Sequence, residues 1–298
     1  MTDMPRIGWI GLGIMGERML RHVVAAGHPV TVYARRPGGA AAFPEAEAAA
    51  TPAELAARSD IVITIVGEPP DVEQVMLGAD GVLEGARPGS LVIDCTTSSP
   101  ALAARIAHEA AARGVDSLDA PVSGGPAGAE RASLSIMLGG TDEAVARAMP
   151  ILSRLGTTIV HHGPAGAGQS AKIANQILVG LSMLGLSEAF LFAEASGLRP
   201  ERVLETLGAG IVGSDLLRVM WPKVAAGDFE PGFRVEHLIK DLGLALDAGH
   251  AATLSMPGTA LTRELYHAVR AAGYAGKGTQ ALITAYDRAI TQPTGGRP

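Results

Sequence analysis

A glycine-rich turn near the start of the chain constrains the fold more than any other stretch. The apolar run Ile7 to Ile10 is typical of a buried parallel strand, and glycines at the G-x-G-x-x-G spacing follow it. The motif consists of Gly11, Leu12, Gly13, Ile14, Met15 and Gly16. In a strand, turn and helix of this kind, the glycines permit the turn, the approach of a pyrophosphate and close helix packing. We therefore predict a dinucleotide-binding unit. The alternative is a glycine-rich turn between two buried elements.

Length and composition narrow the class of protein. A chain of 298 residues exceeds the size that one hydrophobic core usually supports, which favours two domains. The net charge of −6 comes without a block of like charge, so we expect small molecules or other subunits as partners rather than nucleic acid. Cys95 is the single cysteine, which excludes an intrachain disulfide, and the N-terminus shows no signal segment. We expect a cytoplasmic protein.

The residues after the second strand bear on the choice of cofactor. Pro29 to Tyr33 is the second predicted strand, and Ala34, Arg35 and Arg36 follow it, with no acid before Glu45. An NAD site usually places Asp or Glu here to bind the ribose 2′-hydroxyl, whereas two arginines suit a 2′-phosphate. The sequence favours NADP and leaves NAD possible. The alternative is a pair of solvated arginines.

Two further strands place residues at the same edge of a doubly wound sheet. Ile61 to Val66 is β-branched almost throughout, as in a strand covered on both faces, and Gly67 to Pro70 is expected to break it. Leu91 to Asp94 is the next strand. Ligands of such sheets lie beyond the carboxyl ends of the strands, so we expect Val66, Gly67 and Thr96 to border the cofactor. Cys95 lacks a nearby histidine partner and is interpreted as a packing residue rather than a nucleophile.

A second glycine-rich stretch follows the predicted strand Val115 to Asp119. Ser123 offers a hydroxyl, and the backbone N–H groups near Gly124 and Gly125 are unshielded, so together they could bind a carboxylate. Glycine and proline also mark ordinary turns, and composition alone favours an ordinary turn here. His161 and His162 point to opposite faces of a strand without a third ligand at metal spacing, so we expect no metal site.

The strand pattern stops near residue 163, and only helical periodicity follows. We predict a dinucleotide-binding domain over residues 1–163 and an all-helical domain over residues 164–298. The first helix runs from about Gln169 to Ser196, and its apolar part is interpreted as buried rather than membrane-spanning because polar residues interrupt it. Further helices are expected at about residues 201–207, 215–226, 235–249, 257–272 and 279–291, and residues 294–298 are expected to be disordered.

Lys172 and Asn175 lie three residues apart on one face near the start of this long helix. Only four of the 24 basic residues are lysines, and a lysine, unlike an arginine, can be tuned to release its proton. The pair suits an acid and an orienting amide. The alternative is an exposed Lys and Asn. Farther on, Glu236 with Lys240 and His237 with Asp241 have the i,i+4 spacing that is typical of a solvated helix face.

Four motifs in order resemble the β-hydroxyacid dehydrogenase family, which includes 3-hydroxyisobutyrate dehydrogenases, tartronate semialdehyde reductases and glyoxylate/succinic semialdehyde reductases. They are the turn at residues 11–16 and the stretches at residues 119–125, 166–175 and 233–242. The resemblance covers essentially the whole chain. It implies a Rossmann domain followed by an all-helical domain, often assembled as homodimers or homotetramers.

The resemblance also implies roles for individual residues. Lys172 would be the catalytic lysine, which exchanges a proton with the substrate oxygen as a hydride passes to or from the cofactor. A lysine pKa of about 10.4 would have to be lowered for this exchange. Ser123, Gly124 and Asn175 would hold the substrate, a short β-hydroxy acid or its semialdehyde, and Thr96 and Lys240 would lie at the cofactor.

The chain departs from the family pattern at two places. Val66 and Gly67 stand where many relatives have Leu-Pro, and Ala34 with Arg35 matches NADP-preferring members. The run Gly232 to Arg234 is more similar to the tartronate semialdehyde reductases. Two other functions are open. One is imine reduction, against which Lys172 argues because relatives with that activity carry Asp or Tyr there, and the other is a non-catalytic NADP-binding scaffold.

Overall fold

The computed structural model of the protein describes residues 4–35 and 38–286. The chain forms two compact units, Met1–Lys172 and Ile173–Pro298. The first unit is built on a six-stranded parallel sheet. Its strands are β1 (Ile7–Ile10), β2 (Val30–Tyr33), β3 (Glu47–Ala48), β4 (Ile61–Thr64), β5 (Leu91–Asp94) and β6 (Asp116–Asp119).

The strand order of this sheet is β3-β2-β1-β4-β5-β6. The order reverses between β1 and β4, and such a reversal is the point at which doubly wound sheets bind their ligands. Ile10 at the end of β1 lies opposite Tyr33 of β2 and Thr64 of β4. The residues that follow these three strands therefore share one edge of the sheet.

Helices pack on both faces of the sheet, as its central strands β1, β4 and β5 require, since every residue of these strands is buried. They are α1 (Ile14–Ala25), α2 (Pro52–Ala57), α3 (Pro69–Leu77), α4 (Val82–Gly85) and α5 (Pro100–Ala111). Successive residues of one strand enter different apolar clusters: Trp9 belongs to one cluster and Ile10 to the other. Both faces of the sheet are thereby buried, which holds its carboxyl edge in place.

A small second sheet completes the first unit. It contains β7 (Val122–Ser123), β8 (Leu134–Leu138) and β9 (Gly156–His161), and the helices between them are α6 (Gly125–Glu130) and α7 (Asp142–Leu152). Strand β8 pairs antiparallel with β7 and parallel with β9. A bridge between Asp119 and Gly139 joins the end of β6 to the end of β8.

The second unit is helical throughout its described part. The long helix α8 (Ala167–Ala195) begins in the first unit and continues into the second, followed by α9 (Pro200–Ala209), α10 (Asp215–Ala226), α11 (Val235–Ala251), α12 (Pro257–Val269) and a 3₁₀ helix (Thr279–Ala285). Trp221 and Tyr266 are the largest fully buried side chains of this unit.

By length and composition alone, α8 could cross a membrane, and among the described helices it alone meets that test. Within the chain's own fold Met183 and Phe190 are buried, whereas Leu178 and Phe192 are exposed.

The doubly wound sheet and the helical second part confirm the predicted fold class, and α10 has the predicted bounds. The strand β4 ends at Thr64, before the predicted break at residues 67–70, and these residues also lead into a helix that was not predicted. Pro69 begins α3, and Glu68 and Asp71 form a reciprocal capping box there. The stretch interpreted as an ordinary turn after Ser123 contains α6. Of the predicted helix 279–291, the described part is a 3₁₀ helix, and residues 287–291 and the tail 294–298 lie outside the described residues.

Candidate active site

The first glycine turn has no room for side chains at two of its three glycines. Gly11 has φ = +104°, and a Cβ there would lie 2.0 Å from the carbonyl oxygen of Ile65. A Cβ on Gly16 would lie 2.0 Å from the carbonyl oxygen of Gly11. Both contacts are far inside van der Waals distance, so the turn and the close packing of α1 on the strand require glycine.

Gly13 differs because it faces open space. A Cβ there would meet none of the other described atoms within 4 Å. Gly13 is the N-cap of α1, and glycine supplies no side-chain acceptor for the first N–H groups of the helix. An accessible backbone at a helix N-terminus is what a pyrophosphate needs, so the residues present fit a dinucleotide. Leu12 and Met15 pack against the core of this unit.

The residues predicted to select the cofactor, Ala34 and Arg35, follow β2 at the carboxyl edge of the first sheet. Ala34 follows Tyr33, whose register partner Ile10 precedes the glycine turn. Arg35 is 78% exposed, and its Nη1 lies 2.9 Å from Oδ1 of Asp71. An exposed ion pair of this kind holds the guanidinium weakly, which leaves it able to exchange partners. Arg36 lies outside the described residues.

The structure brings Val66 and Thr96 together beyond the ends of β4 and β5. The backbone N–H of Val66 donates to Oγ1 of Thr96 at 2.9 Å. The backbone N–H of Thr96 in turn donates to Oδ1 of Asp94 at 3.1 Å, and Oγ1 of Thr64 donates to the same oxygen at 2.8 Å. Gly67 comes next to Val66, and a Cβ on it would lie 2.9 Å from Oδ2 of Asp71. The segments after β4 and β5 are thus tied to each other at the expected edge.

Asp94 is buried at the centre of this network. Burial raises its pKa from 3.8 to about 6 against the opposing effect of the hydrogen bonds from Thr96 and Thr64, and the charge of Asp119 raises it further. Burial likewise raises the pKa of the neighbouring Cys95 thiol far above its ordinary value. A thiol that resists ionisation is a poor nucleophile, which agrees with its interpretation as a packing residue.

A second buried carboxylate, Asp119, lies at the end of the neighbouring strand β6. Its Oδ1 accepts a hydrogen bond from the backbone N–H of Gly166 at 2.7 Å, and its Oδ2 accepts one from the N–H of Gln169 at 2.8 Å. Burial raises the pKa of Asp119, and these hydrogen bonds oppose the rise. The side chain of Gln169 donates to the carbonyl oxygen of Thr96 at 2.7 Å and accepts from the N–H of Ser98 at 2.8 Å.

Lys172 lies one turn beyond Gln169 on α8, and only 6% of it is exposed. The predicted carboxylate-binding residues lie where β7 ends and α6 begins. Ser123 pairs with Ser135 of β8, and Gly124 and Gly125 have φ values of +125° and +61°. Two successive residues in this region require glycine, which explains the pair in the sequence.

In the second unit, the side chains of α8 and α11 form a chain of polar contacts. Nδ2 of Asn175 donates to Oε1 of Gln176 at 2.9 Å, and Nε2 of Gln176 donates to Oδ2 of Asp241. Oδ1 of Asp241 forms an ion pair with Nζ of Lys240 at 3.1 Å. Asp241 is 2% exposed, so the expectation that it lies on a solvated helix face was wrong.

The sequence assigned no role to the buried polar side chains that form the hydrogen-bond networks described above. These are Asp94, Asp119, Gln169, Gln176 and Asp241. Asp94 and Asp119 carried a usable signal, since each is the last residue of a parallel strand and therefore lies at the ligand-binding edge. The partners of Gln169 are about 70 residues away in the chain, and no local pattern identifies such contacts.

The described residues contain no group of three side chains suited to hold a metal ion. His161 instead has Nε2 2.9 Å from the carbonyl oxygen of Gly140 and Nδ1 3.2 Å from Oδ1 of Asp142. These contacts connect the end of β9 to the start of α7, which is a structural role.

Comparison with known proteins matches both parts of the chain to family models. Residues 6–163 match the NAD binding domain of 6-phosphogluconate dehydrogenase, and residues 166–286 match the NAD-binding domain of NADP-dependent 3-hydroxyisobutyrate dehydrogenase. The first part of the chain is therefore an NAD(P)-binding domain of an oxidoreductase.

Individual relatives agree with these models. The chain is 44% identical to the uncharacterised oxidoreductase YkwC of Bacillus subtilis, over 93% of this chain and 96% of the relative. It is 36% identical to the 2-hydroxy-3-oxopropionate reductase of Escherichia coli, over 95% and 97%. The 3-hydroxyisobutyrate dehydrogenase of Mycobacterium tuberculosis, solved with L-serine, superposes with a TM-score of 0.87 at 33% identity, over 94% and 98%. The chain belongs to the 3-hydroxyisobutyrate dehydrogenase, or β-hydroxyacid dehydrogenase, family.

Proposed function

We propose that the protein is an NADP-dependent oxidoreductase that interconverts a short β-hydroxy acid and its semialdehyde, with Lys172 as general acid and base. Reactions of the 2-hydroxy-3-oxopropionate reductase or 3-hydroxyisobutyrate dehydrogenase type are the nearest examples. The observation that carries the proposal is the almost complete burial of Lys172 in the first turns of α8, in a chain in which only four of the 24 basic residues are lysines. Lysine side chains are rarely buried to this extent, because their charged form is costly to desolvate.

The cofactor contacts are assigned to the edge of the first sheet. Gly11 to Gly16 would hold the pyrophosphate, and Val66, Gly67 and Thr96 would border the nicotinamide half. Lys240 is assigned to the cofactor by the family resemblance. When bound, NADPH supplies a hydride. The hydrogen bond from Val66 to Thr96 supports this assignment, because it fixes two of the bordering segments relative to each other.

The proton step belongs to Lys172. In the direction of reduction, its ammonium donates a proton to the carbonyl oxygen of the semialdehyde as negative charge develops there, and in oxidation the neutral amine takes the proton back. Transfer of this kind contributes about 10²–10⁴ in rate. Asn175 lies one helical turn away and would hold the substrate through its amide, while Gln176 accepts a hydrogen bond from that amide and limits its rotation.

The substrate carboxylate is assigned to Ser123, Gly124 and Gly125. The left-handed backbone at Gly124 and Gly125 supports this assignment, since consecutive N–H groups in such a conformation can converge on an anion.

The proposed functional division of the chain assigns residues 1–163 to the cofactor domain and residues 164–298 to the helical domain. A homodimer or homotetramer is proposed as well. The exposed Leu178 and Phe192 on α8 support it, because large apolar side chains on one helix often mark a subunit contact.

The function is tested by mixing the protein with NADPH and a panel of glyoxylate, succinic semialdehyde and tartronate semialdehyde, and following the loss of NADPH absorbance. We expect turnover with at least one member, and reduction of NADP with the matching hydroxy acid. Cyclic imines serve as the comparison substrates. Turnover of imines alone would favour an imine reductase, and no turnover of any compound by folded, NADPH-binding protein would favour a scaffold.

Arg35→Glu is expected to raise the KM for NADPH about tenfold or more and to leave the KM for NADH nearly unchanged or lower. The guanidinium would lose its charge-assisted hydrogen bonds to the 2′-phosphate, and the new carboxylate would repel it. Initial rates with NADPH and with NADH give the two KM values and their ratio. Arg113→Glu is a matched control, because Arg113 is also a surface arginine with a carboxylate partner, Glu109. Equal or better efficiency of the wild type with NADH would contradict the NADP preference.

A further inference from the structure

We propose that Gln169 and Asp119 are positioning residues. Together they hold the first turn of α8, and with it Lys172, in a fixed position relative to the segment from Thr96 to Ser98. The proposal rests on the proposed function in one respect, since Lys172 is the proton donor there. Neither residue has to touch substrate or cofactor, and both belong to the first unit with Lys172.

The side chain of Gln169 is fully buried and uses both ends of its amide on one short segment. Nε2 donates to the carbonyl oxygen of Thr96 at 2.7 Å, and Oε1 accepts from the backbone N–H of Ser98 at 2.8 Å. Two hydrogen bonds from one planar group fix the rotation of the amide as well as its distance. The start of α8 therefore moves together with the segment that Thr96 contributes to the sheet edge.

Asp119 holds the backbone of the same helical turn from another side. Its two carboxylate oxygens accept from the N–H groups of Gly166 and Gln169, at 2.7 and 2.8 Å. The first N–H groups of a helix have no partner inside the helix, and the positive end of the helix dipole favours a carboxylate there. Asp119 therefore fixes the axial position of α8, whereas Gln169 fixes its contact with the Thr96 segment.

Two glycines show how little free space surrounds this arrangement. A Cβ on Gly168 would lie 2.4 Å from the carbonyl oxygen of Met137 and 2.7 Å from that of Asp119. A Cβ on Gly139 would lie 2.5 Å from Oδ1 of Asp119. The start of the helix thus lies directly on the backbone of β6 and β8. Backbone contact at this distance leaves the helical turn one well-defined position.

Lys172 follows Gln169 by three residues, so the two side chains leave neighbouring positions on one face of α8, about 4.5 Å apart along the axis. Any rotation or shift of the first turn moves both. A proton donor must meet the substrate oxygen within hydrogen-bonding distance, and an error near 1 Å can cost about 10²-fold in rate. Loss of the Gln169 contacts should therefore appear in kcat.

The test compares Gln169→Leu and Gln169→Glu with Gln280→Leu as the matched control. Gln280 is equally buried and also bridges backbone groups, the carbonyl oxygens of Asp228 and Glu230, but it lies in the second unit and has no assigned role. Gln169→Glu keeps the acceptor for Ser98 and loses the donor to Thr96. We expect kcat to fall on the order of 10- to 100-fold in both Gln169 variants with much smaller changes in KM. Gln280→Leu should lose thermal stability and keep kcat.

Asp119→Asn extends the test, because its amide places an NH₂ against one of the two helix N–H groups. It should show the same fall in kcat with little change in KM. An unchanged kcat in Asp119→Asn would remove Asp119 from the proposal, and kcat within threefold of wild type in both Gln169 variants would overturn it for Gln169.

A readout without turnover separates this proposal from the proposed function. The chain has four lysines, so the NMR signals of protein labelled with ¹³C,¹⁵N-lysine can be assigned by single Lys→Arg changes. The Lys172 signal should shift in the Gln169 variants and stay in place in Gln280→Leu. If the wild type reduces no compound of the panel, the proposed function fails and this signal alone decides: a shift supports the positioning role, and an unmoved Lys172 signal overturns it.

Discussion

Replacing Lys172 by Ala is expected to lower kcat by about 10²–10⁴ while the Kd for NADPH stays within a few-fold of wild type. The proton that the substrate oxygen needs would have to come from water, which is a weaker and unpositioned acid. The cofactor contacts assigned to the glycine turn do not involve this side chain, so binding should persist. Stopped-flow hydride transfer and NADPH fluorescence titration measure the two quantities separately.

Lys172→Arg tests whether Lys172 contributes to the rate through proton transfer or only through its positive charge. Arginine keeps the positive charge but does not release its proton in a protein, so this variant should be nearly as slow as Lys172→Ala. Lys277→Ala is the control, because Lys277 is a surface lysine paired with Glu230 at 2.9 Å. A Lys172→Ala enzyme with kcat within a few-fold of wild type would show that the proposed proton donor is wrong.

The predictable part of the fold depended on local signals. A turn with Gly11 at positive φ and with Gly16 against the Gly11 carbonyl can be read from spacing alone, because only glycine satisfies both positions. The buried strands carry apolar runs, and α10 begins at a serine N-cap and ends at a left-handed Gly227, so its bounds could also be predicted.

Elsewhere, turn-forming residues proved to be helix starts. Residues 67–70 were predicted only to end the third strand, but Pro69 also begins α3. Proline at the first position of a helix loses no hydrogen bond, and Glu68 and Asp71 complete the cap. Similarly, Gly124 is the N-cap of α6 and Gly125 is its first residue. A short helix of about two turns has too little periodicity to outweigh the turn signal of its first residues.

The candidate site was predictable only where sheet topology places it. Val66 and Thr96 follow β4 and β5, and the rule for doubly wound sheets predicted that both lie beyond the carboxyl ends of these neighbouring strands. The side chains that orient the site could not be found in this way, since Asp241 meets Gln176 across 65 residues and Gln169 meets Thr96 across 73. The i,i+4 spacing on α11 led to the wrong prediction that Asp241 is solvated, because spacing carries no information about what packs against a helix.

The burial of Asp94 has a measurable consequence, because it makes the stability of the protein depend on pH. Its pKa is about 6 in the folded protein against an ordinary value of 3.8. Between these values the folded state binds a proton that the unfolded state has released. The free energy of unfolding that Asp94 contributes is therefore fully present below pH 3.8 and is lost as the pH rises through about 6. The whole change is about 3 kcal/mol.

Asp94→Asn removes this titration, since an amide keeps the acceptor for Thr64 and Thr96 and carries no charge. Measured by urea unfolding, the stability of the variant relative to wild type should rise by about 2 kcal/mol between pH 4.5 and 7.5, the part of the change that lies in that range. Asp60→Asn is the control. The pKa of Asp60 is lowered to about 2, chiefly by its hydrogen bond from the Arg6 guanidinium, so its difference from wild type should stay flat over the same range. A flat difference for Asp94→Asn as well would mean that Asp94 stays ionised in the folded protein, and that its hydrogen bonds from Thr64 and Thr96 outweigh the cost of burying the charge.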